Sequence, residues 1–129
     1  MDDLNNFSVH KENITTFVRH SISNCQRMYN MLSDELDRKE INEHALYGYH
    51  SMAFSSFMTM KAYYLQNDIL SHWEFDMYIA KFEQFSREFI SSRETNHSMQ
   101  WTFGYYHELI KAFNNLAGLL EINEIKVPE

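Results

Sequence analysis

Apolar residues recur along this chain at alternating steps of three and four. The first row is Ile14, Val18, Ile22, Cys25, Tyr29, Leu32 and Leu36, with Phe17, Met28 and Met31 widening it. That spacing keeps the α-helical period, and neither Gly nor Pro interrupts it. A helix is predicted from about residue 11 to 38, with Glu12, Arg19, Arg27, Asp34 and Glu35 on its polar side. Residues 1–9 read as a loose leader. Ser23 and Asn24 are weak helix formers, so a break there would give one extra helix.

The second row, Leu46, Tyr49, Ala53, Phe57, Met60 and Tyr64, predicts a helix over about 42–66. Fourteen of the 21 residues from Ala45 to Leu65 are apolar, and Lys61 is the single charge between Glu43 and Asp68. A helix apolar nearly all round is expected to be buried. Its remaining face is a row of small residues, Gly48, Ser51, Ser55, Thr59 and Ala62. Such a row admits a close backbone neighbour: another helix of the same bundle, the same helix of a second copy, or the wall of a small ligand pocket.

Ser71 followed by Glu74 matches a capping box, in which the hydroxyl and the carboxylate satisfy each other's backbone amides. It predicts a third helix to about Ser91, with Phe75, Ile79, Phe82, Phe85 or Ser86, and Phe89 inward, and with Glu83 and Arg87 as an i,i+4 ion pair. Residues 91–96 read as a loop. A fourth helix is expected over about 97–120, with Trp101, Tyr105, Leu109, Phe113 or Ala112, Leu116 and Leu120 inward, and the tail after it should fray. These elements predict a single all-α domain over 1–129, loosely ordered at 1–9 and 122–129. Its architecture is an antiparallel up-down four-helix bundle, or a five-helix one if the first helix breaks.

Composition narrows the class further. The chain has 129 residues but only three Gly and one Pro, which disfavours an all-β fold and any Gly-rich phosphate loop. Eleven basic against 18 acidic residues give a net charge of −7, and apart from Arg38–Lys39 the cations are scattered. Direct nucleic-acid binding is therefore disfavoured. Cys25 is alone, so there is no disulfide framework, and a reducing cytoplasm is the expected home. No secretory signal pattern and no uninterrupted apolar stretch of membrane-spanning length is present. The seven His, if all protonated below their ordinary value of about 6.5, would bring the net charge close to zero, so a pH response is conceivable.

Catalytic patterns are sparse. A di-iron bundle site needs two Glu-x-x-His motifs, and only Glu94–His97 fits, in a predicted loop. Glu40 and His44 share one helical face without a partner pair. Arg93 and His97 fall in the same predicted loop. Cys25 sits in an inward row, which makes a buried, inert thiol the default. A constellation of His44, His50, His107 and Glu43 or Glu108 has no support from spacing. The expectation is no enzyme, no metal and no cofactor. Frequent Asn and scarce Ala suggest an AT-rich bacterial or phage genome.

The remaining signal is aromatic. Ten Phe, eight Tyr and two Trp make 16% of the chain, alongside eight Met. These are the adaptable, high-area groups of cores and recognition surfaces. Tyr47, Tyr63 and Tyr106 lie off their helices' main rows, and Gly104 within the last helix either admits a crossing helix or opens space beside Trp101 and His107. The leading expectation is a small acidic, non-catalytic interaction module of the adaptor, inhibitor, immunity or anti-defence type. It would bind a protein partner or itself through Tyr47, Trp101, Tyr105, Tyr106 and His107, with Gly48, Ser51, Ser55 and Thr59 as a dimer or pocket face. The competing expectation is a small-molecule sensor with an apolar pocket between helices 2 and 4, its ligand oriented by His50 or His107.

Overall fold

The computed structural model describes residues 3–95 and 99–128. Its elements are α1 (Asp3–Leu36), α2 (Glu43–Gln66), a single 3₁₀ turn (Asp68–Leu70), α3 (Trp73–Thr95) and α4 (Met99–Leu120), and the four helices pack together as a bundle. Among the described residues there is no strand. α1 packs along α2 and α3 along α4; the two pairs then meet through α1 on α4 and α2 on α3, so α2 and α4 lie diagonally, without close approach of their backbones.

α1 is one helix. Ser23 and Asn24 do not break it, because local polar groups bond back within the turn: Asn24 Nδ2 donates to the His20 carbonyl at 2.9 Å and Ser21 Oγ to the Val18 carbonyl at 2.8 Å. It also begins far earlier than residue 11. Phe7 continues the apolar row backwards and packs on His72 at 5.4 Å, while His10 Nδ1 meets the Tyr63 hydroxyl at 2.5 Å. The leader is thus recruited by the end of α2 and the turn that follows it.

Most of the expected rows of α1 and α2 are buried, Ile14, Val18, Ile22, Cys25, Met28 and Leu32 from one and Leu46, Ala53, Phe57, Met60 and Tyr64 from the other, but Tyr29 and Tyr49 are half-buried and Leu36, in the last turn of α1, is exposed. Phe57 stacks on Phe82 of α3 at 4.0 Å. Tyr78, which the α3 pattern did not single out, is wholly buried and shares a 2.6 Å hydrogen bond with Ser21 across the core. In α4 the inward row begins one residue later than expected: Thr102 and Tyr106 lead into Leu109, Phe113, Leu116 and Leu120, while Trp101 faces solvent. The observed steps of 4, 3, 4, 3 and 4 keep one stripe facing the partners for the length of the helix, which Trp101 and Tyr105 do not.

The helix ends depart most from expectation. Ser71 and Glu74 do not close a capping box. α3 starts at Trp73, the Tyr64 hydroxyl donates to Asp76 Oδ1 at 2.8 Å, and Glu74 Oε1 is buried without a hydrogen-bond partner. Residues 91–95, read as loop, are the last turn of α3, held by Arg93. Its guanidinium donates to both carboxylate oxygens of Glu35 at 2.5 and 3.0 Å and also reaches Glu43, tying the end of α1 and the start of α2 to the end of α3. Asn42 caps α2 by accepting from the Ala45 amide at 3.1 Å.

Two helices end on left-handed residues that are not glycine. Arg38 (φ 64°) and Glu121 (φ 58°) each turn the chain so that the next amide reaches back five residues, Lys39 to Asp34 and Ile122 to Ala117, both at 3.0 Å. The tail after Glu121 does not fray. Asn114 donates to the Ile125 carbonyl and accepts from its amide, both at 2.9 Å, and Ile122, Ile125 and Val127 pack against the core.

Candidate functional site

α2 is not a buried helix. Of its apolar residues, Tyr47, Met52, Phe54, Met58 and Leu65 stand 38–65% exposed. Ser51, Ser55, Thr59 and Ala62 are exposed beside them, Gly48 is half-buried, and a Cβ built on Gly48 meets nothing within 4 Å. The small row therefore faces solvent. It is neither a packing seat inside the bundle nor the wall of a pocket between α2 and α4. Composition misled here because it counts apolar residues without saying how many neighbours the helix has: α2, like each helix of the bundle, sits at a corner between two others and keeps one face to solvent.

The exposed strip carries almost no charge. Lys61 at its edge is paired with Glu83 of α3 at 3.0 Å, so Glu83 serves that contact and not the anticipated pair with Arg87. Glu43 at the start of α2 is taken by Arg93. Between Glu43 and Lys61 the exposed residues of α2 are His44, Tyr47 and a run of Ser, Thr, Met and Phe, with Ala62 and Leu65 continuing beyond Lys61.

The predicted contact residues do not form one patch. Tyr47 belongs to the α2 strip, with its ring edge against Phe89 at 5.6 Å. Tyr106 is a core residue, 3% exposed, stacked on Tyr29 at 4.4 Å and packed on Phe85 at 5.8 Å, and burial raises its phenol above the ordinary range. It cannot meet a partner. Trp101 is 63% exposed on α4, where Gln100, Trp101, Gly104, Tyr105 and Glu108 line an open notch of about 510 Å³. Gly104 seats no crossing helix, since a Cβ there also meets nothing within 4 Å. Tyr105 and His107 are half-buried. Because α2 and α4 are diagonal, Tyr47 and Trp101 sit on separate faces.

In the groove between α2 and α3 a titratable group is shifted beside a depression. His50 Nε2 and Ser86 Oγ share a 2.8 Å hydrogen bond, and the imidazole packs on Phe89 at 5.0 Å. Desolvation lowers the His50 pKa. Phe54, Arg87, Ile90 and Glu94 line the depression outside it. The Ser86 hydroxyl bonded to this imidazole is itself buried, and Ser91 and Thr95 add hydroxyls to the wall of the depression. Cys25, on the far side of the core, is fully buried and its thiol is pushed up by desolvation.

Among the described residues no three His, Cys, Asp or Glu side chains come together as a metal site, and no helix is long and apolar enough to cross a membrane. His97 lies outside the described residues, and with it the Glu94–His97 and Arg93–His97 spacings. The notch beside Trp101 is lined by α4 alone, and the depression beside His50 by α2 and α3. No protein-family model, curated protein or solved structure matches the chain.

Proposed function

We propose that this chain is a small non-catalytic protein-interaction module of the adaptor, inhibitor or immunity type. In this reading it is an antiparallel up-down bundle working in the cytoplasm, and it docks onto a protein surface through the outer face of α2. The observation that carries the reading is the exposure of five large apolar side chains on one helix whose flanking charges are already spent on internal ion pairs. A contiguous apolar strip of this kind is uncommon on a monomer and marks a contact surface. Met, Phe and Tyr are also the residues interfaces favour, with charge depleted at the centre. The up-down course is supported by contacts that join opposite ends of neighbouring helices, His10 with Tyr63 and Tyr29 with Phe103. The Trp101 notch, with Glu108 at its rim, is a second contact suited to a basic side chain, since an indole face and a carboxylate both attract a cation.

The test is a photo-crosslinking side chain placed at Ser55 in the full chain, made in the cells that naturally produce it, with the same group at Lys111 on α4 as control. A covalent adduct of either mass, one chain plus itself or one chain plus another protein, specific to position 55, is the expected result. Equal or absent adducts at both positions would overturn the reading.

A further inference from the structure

Resting on the interaction reading above, we propose that the occupant of the α2 strip is a second copy of this chain, with the two α2 helices antiparallel about a two-fold axis near Ser55.

The first argument is chemical. Apart from His44 at its start, the strip holds no exposed ionisable side chain beyond the ion-paired Glu43 and Lys61 and so offers little to recognise a charged partner, whereas the rest of this −7 chain repels its own copy. On the α2 face two copies approach without bringing unpaired carboxylates together, since Lys61 and Glu43 carry their partners with them.

The second argument is the order of large and small side chains. In an antiparallel two-fold pair, positions equally far either side of the axis meet. Gly48 and Ala62 lie seven residues either side of Ser55, and Ser51 and Thr59 lie four either side, so small meets small along the centre line. On the flank towards α3, Tyr47 and Leu65 lie nine residues either side of Ser56, and Phe54 and Met58 two either side. Each large residue therefore stands opposite a different large residue, and the two ridges pair along their length. One axis between Ser55 and Ser56 serves both registers within about 1 Å, given the rise of 1.5 Å per residue. The centre of α2, Glu43–Gln66, falls at the same place, so the helices overlap for their full length.

The third argument is area. With exposures of 38–65%, the five apolar residues and the small row present on the order of 600 Å² per chain. A two-fold pair then buries about 1,200 Å², which meets the requirement of a specific interface. Small residues on the centre line let the backbones close to the short end of the usual 8–10 Å interaxial range.

Native mass spectrometry and sedimentation of the purified full chain at roughly 50 µM, where an interface of micromolar Kd is populated, should give twice 15.5 kDa. Ser55→Glu places two carboxylates against each other on the axis and should return the chain to a monomer with unchanged helicity, since Ser55 is exposed in the single chain. Ser51→Glu should weaken the pair as well, and the double variant Ser51→Glu with Thr59→Lys should restore it, because only the antiparallel register sets 51 against 59. A monomer at this concentration, a dimer indifferent to Ser55→Glu, or failure of the double variant to recover would each overturn the proposal. A monomer that still forms heterologous adducts at position 55 in cells would remove the second copy and leave the interaction reading in place; no adducts at all would remove both.

Discussion

His50 and Ser86 share a hydrogen bond of 2.8 Å between imidazole Nε2 and hydroxyl Oγ, joining α2 to α3 beneath the rim formed by Phe54 and Ile90. Burial lowers the imidazole pKa, so the folded chain binds fewer protons at this site than the unfolded chain does. Stability from His50 is therefore full above the unfolded value of about 6.5 and is lost as pH falls through that value towards the lower folded one. The melting temperature should decline as pH drops below 6.5, and His50→Gln should flatten that decline. An identical pH profile for the variant would dismiss His50 as its source.

Arg93 holds three helix ends with one guanidinium, itself 11% exposed. Arg93→Ala removes a bidentate bond to Glu35 and a bond to Glu43 while leaving both acids close together. The loss should be about 1–3 kcal/mol in urea unfolding. Arg93→Lys should recover little of it, because a point charge cannot serve both oxygens of Glu35 at once. Full stability in the Lys variant would show that charge alone suffices.

Backbone conformation and glycine are mismatched in this chain. Its two left-handed helix-terminal residues are Arg38 and Glu121, whereas Gly48, Gly104 and Gly118 all sit within helices at negative φ. Arg38→Gly should stabilise the fold by about 1 kcal/mol by relieving a conformation that L side chains disfavour. Gly104→Ala should do so by about 0.5–1 kcal/mol, since the new Cβ meets open space. Thermal melts of the two variants and their combination should show additive gains; a loss at Gly104 would mean that the notch requires its backbone freedom.

Cys25 is surrounded by core side chains, and burial holds its thiol protonated. The native chain should not react with an aromatic disulfide reagent at pH 8, and one thiol per chain should appear on unfolding in denaturant. Fast labelling of the folded chain would instead reveal opening of the α1 core row.

The helices were largely legible because their inward rows keep one period over five to seven residues each. Phase was harder than period. Tyr105 and Tyr106 are neighbours, and which of them enters the core depends on Tyr29, more than seventy positions away, stacking on the second. Exposure of α2 was illegible for a related reason: the composition of Ala45–Leu65 is that of an interior helix, and only the corner position of α2 leaves one of its faces bare. The end of α3 looked like loop because Ser91, Ser92 and Thr95 are poor helix formers. Its helicity rests on Arg93 finding acids supplied by α1 and α2, and no local pattern announces such partners.

The clamp of Asn114 on Ile125 has a consequence for assembly. By drawing the C-terminal tail across the seam of α1 and α4, next to Arg19, Ile22 and Phe113, it sheathes the side of the bundle away from α2. The strap covers core side chains that a chain shortened before Ile122 would lay bare, so the shortened form should associate more readily than the full one.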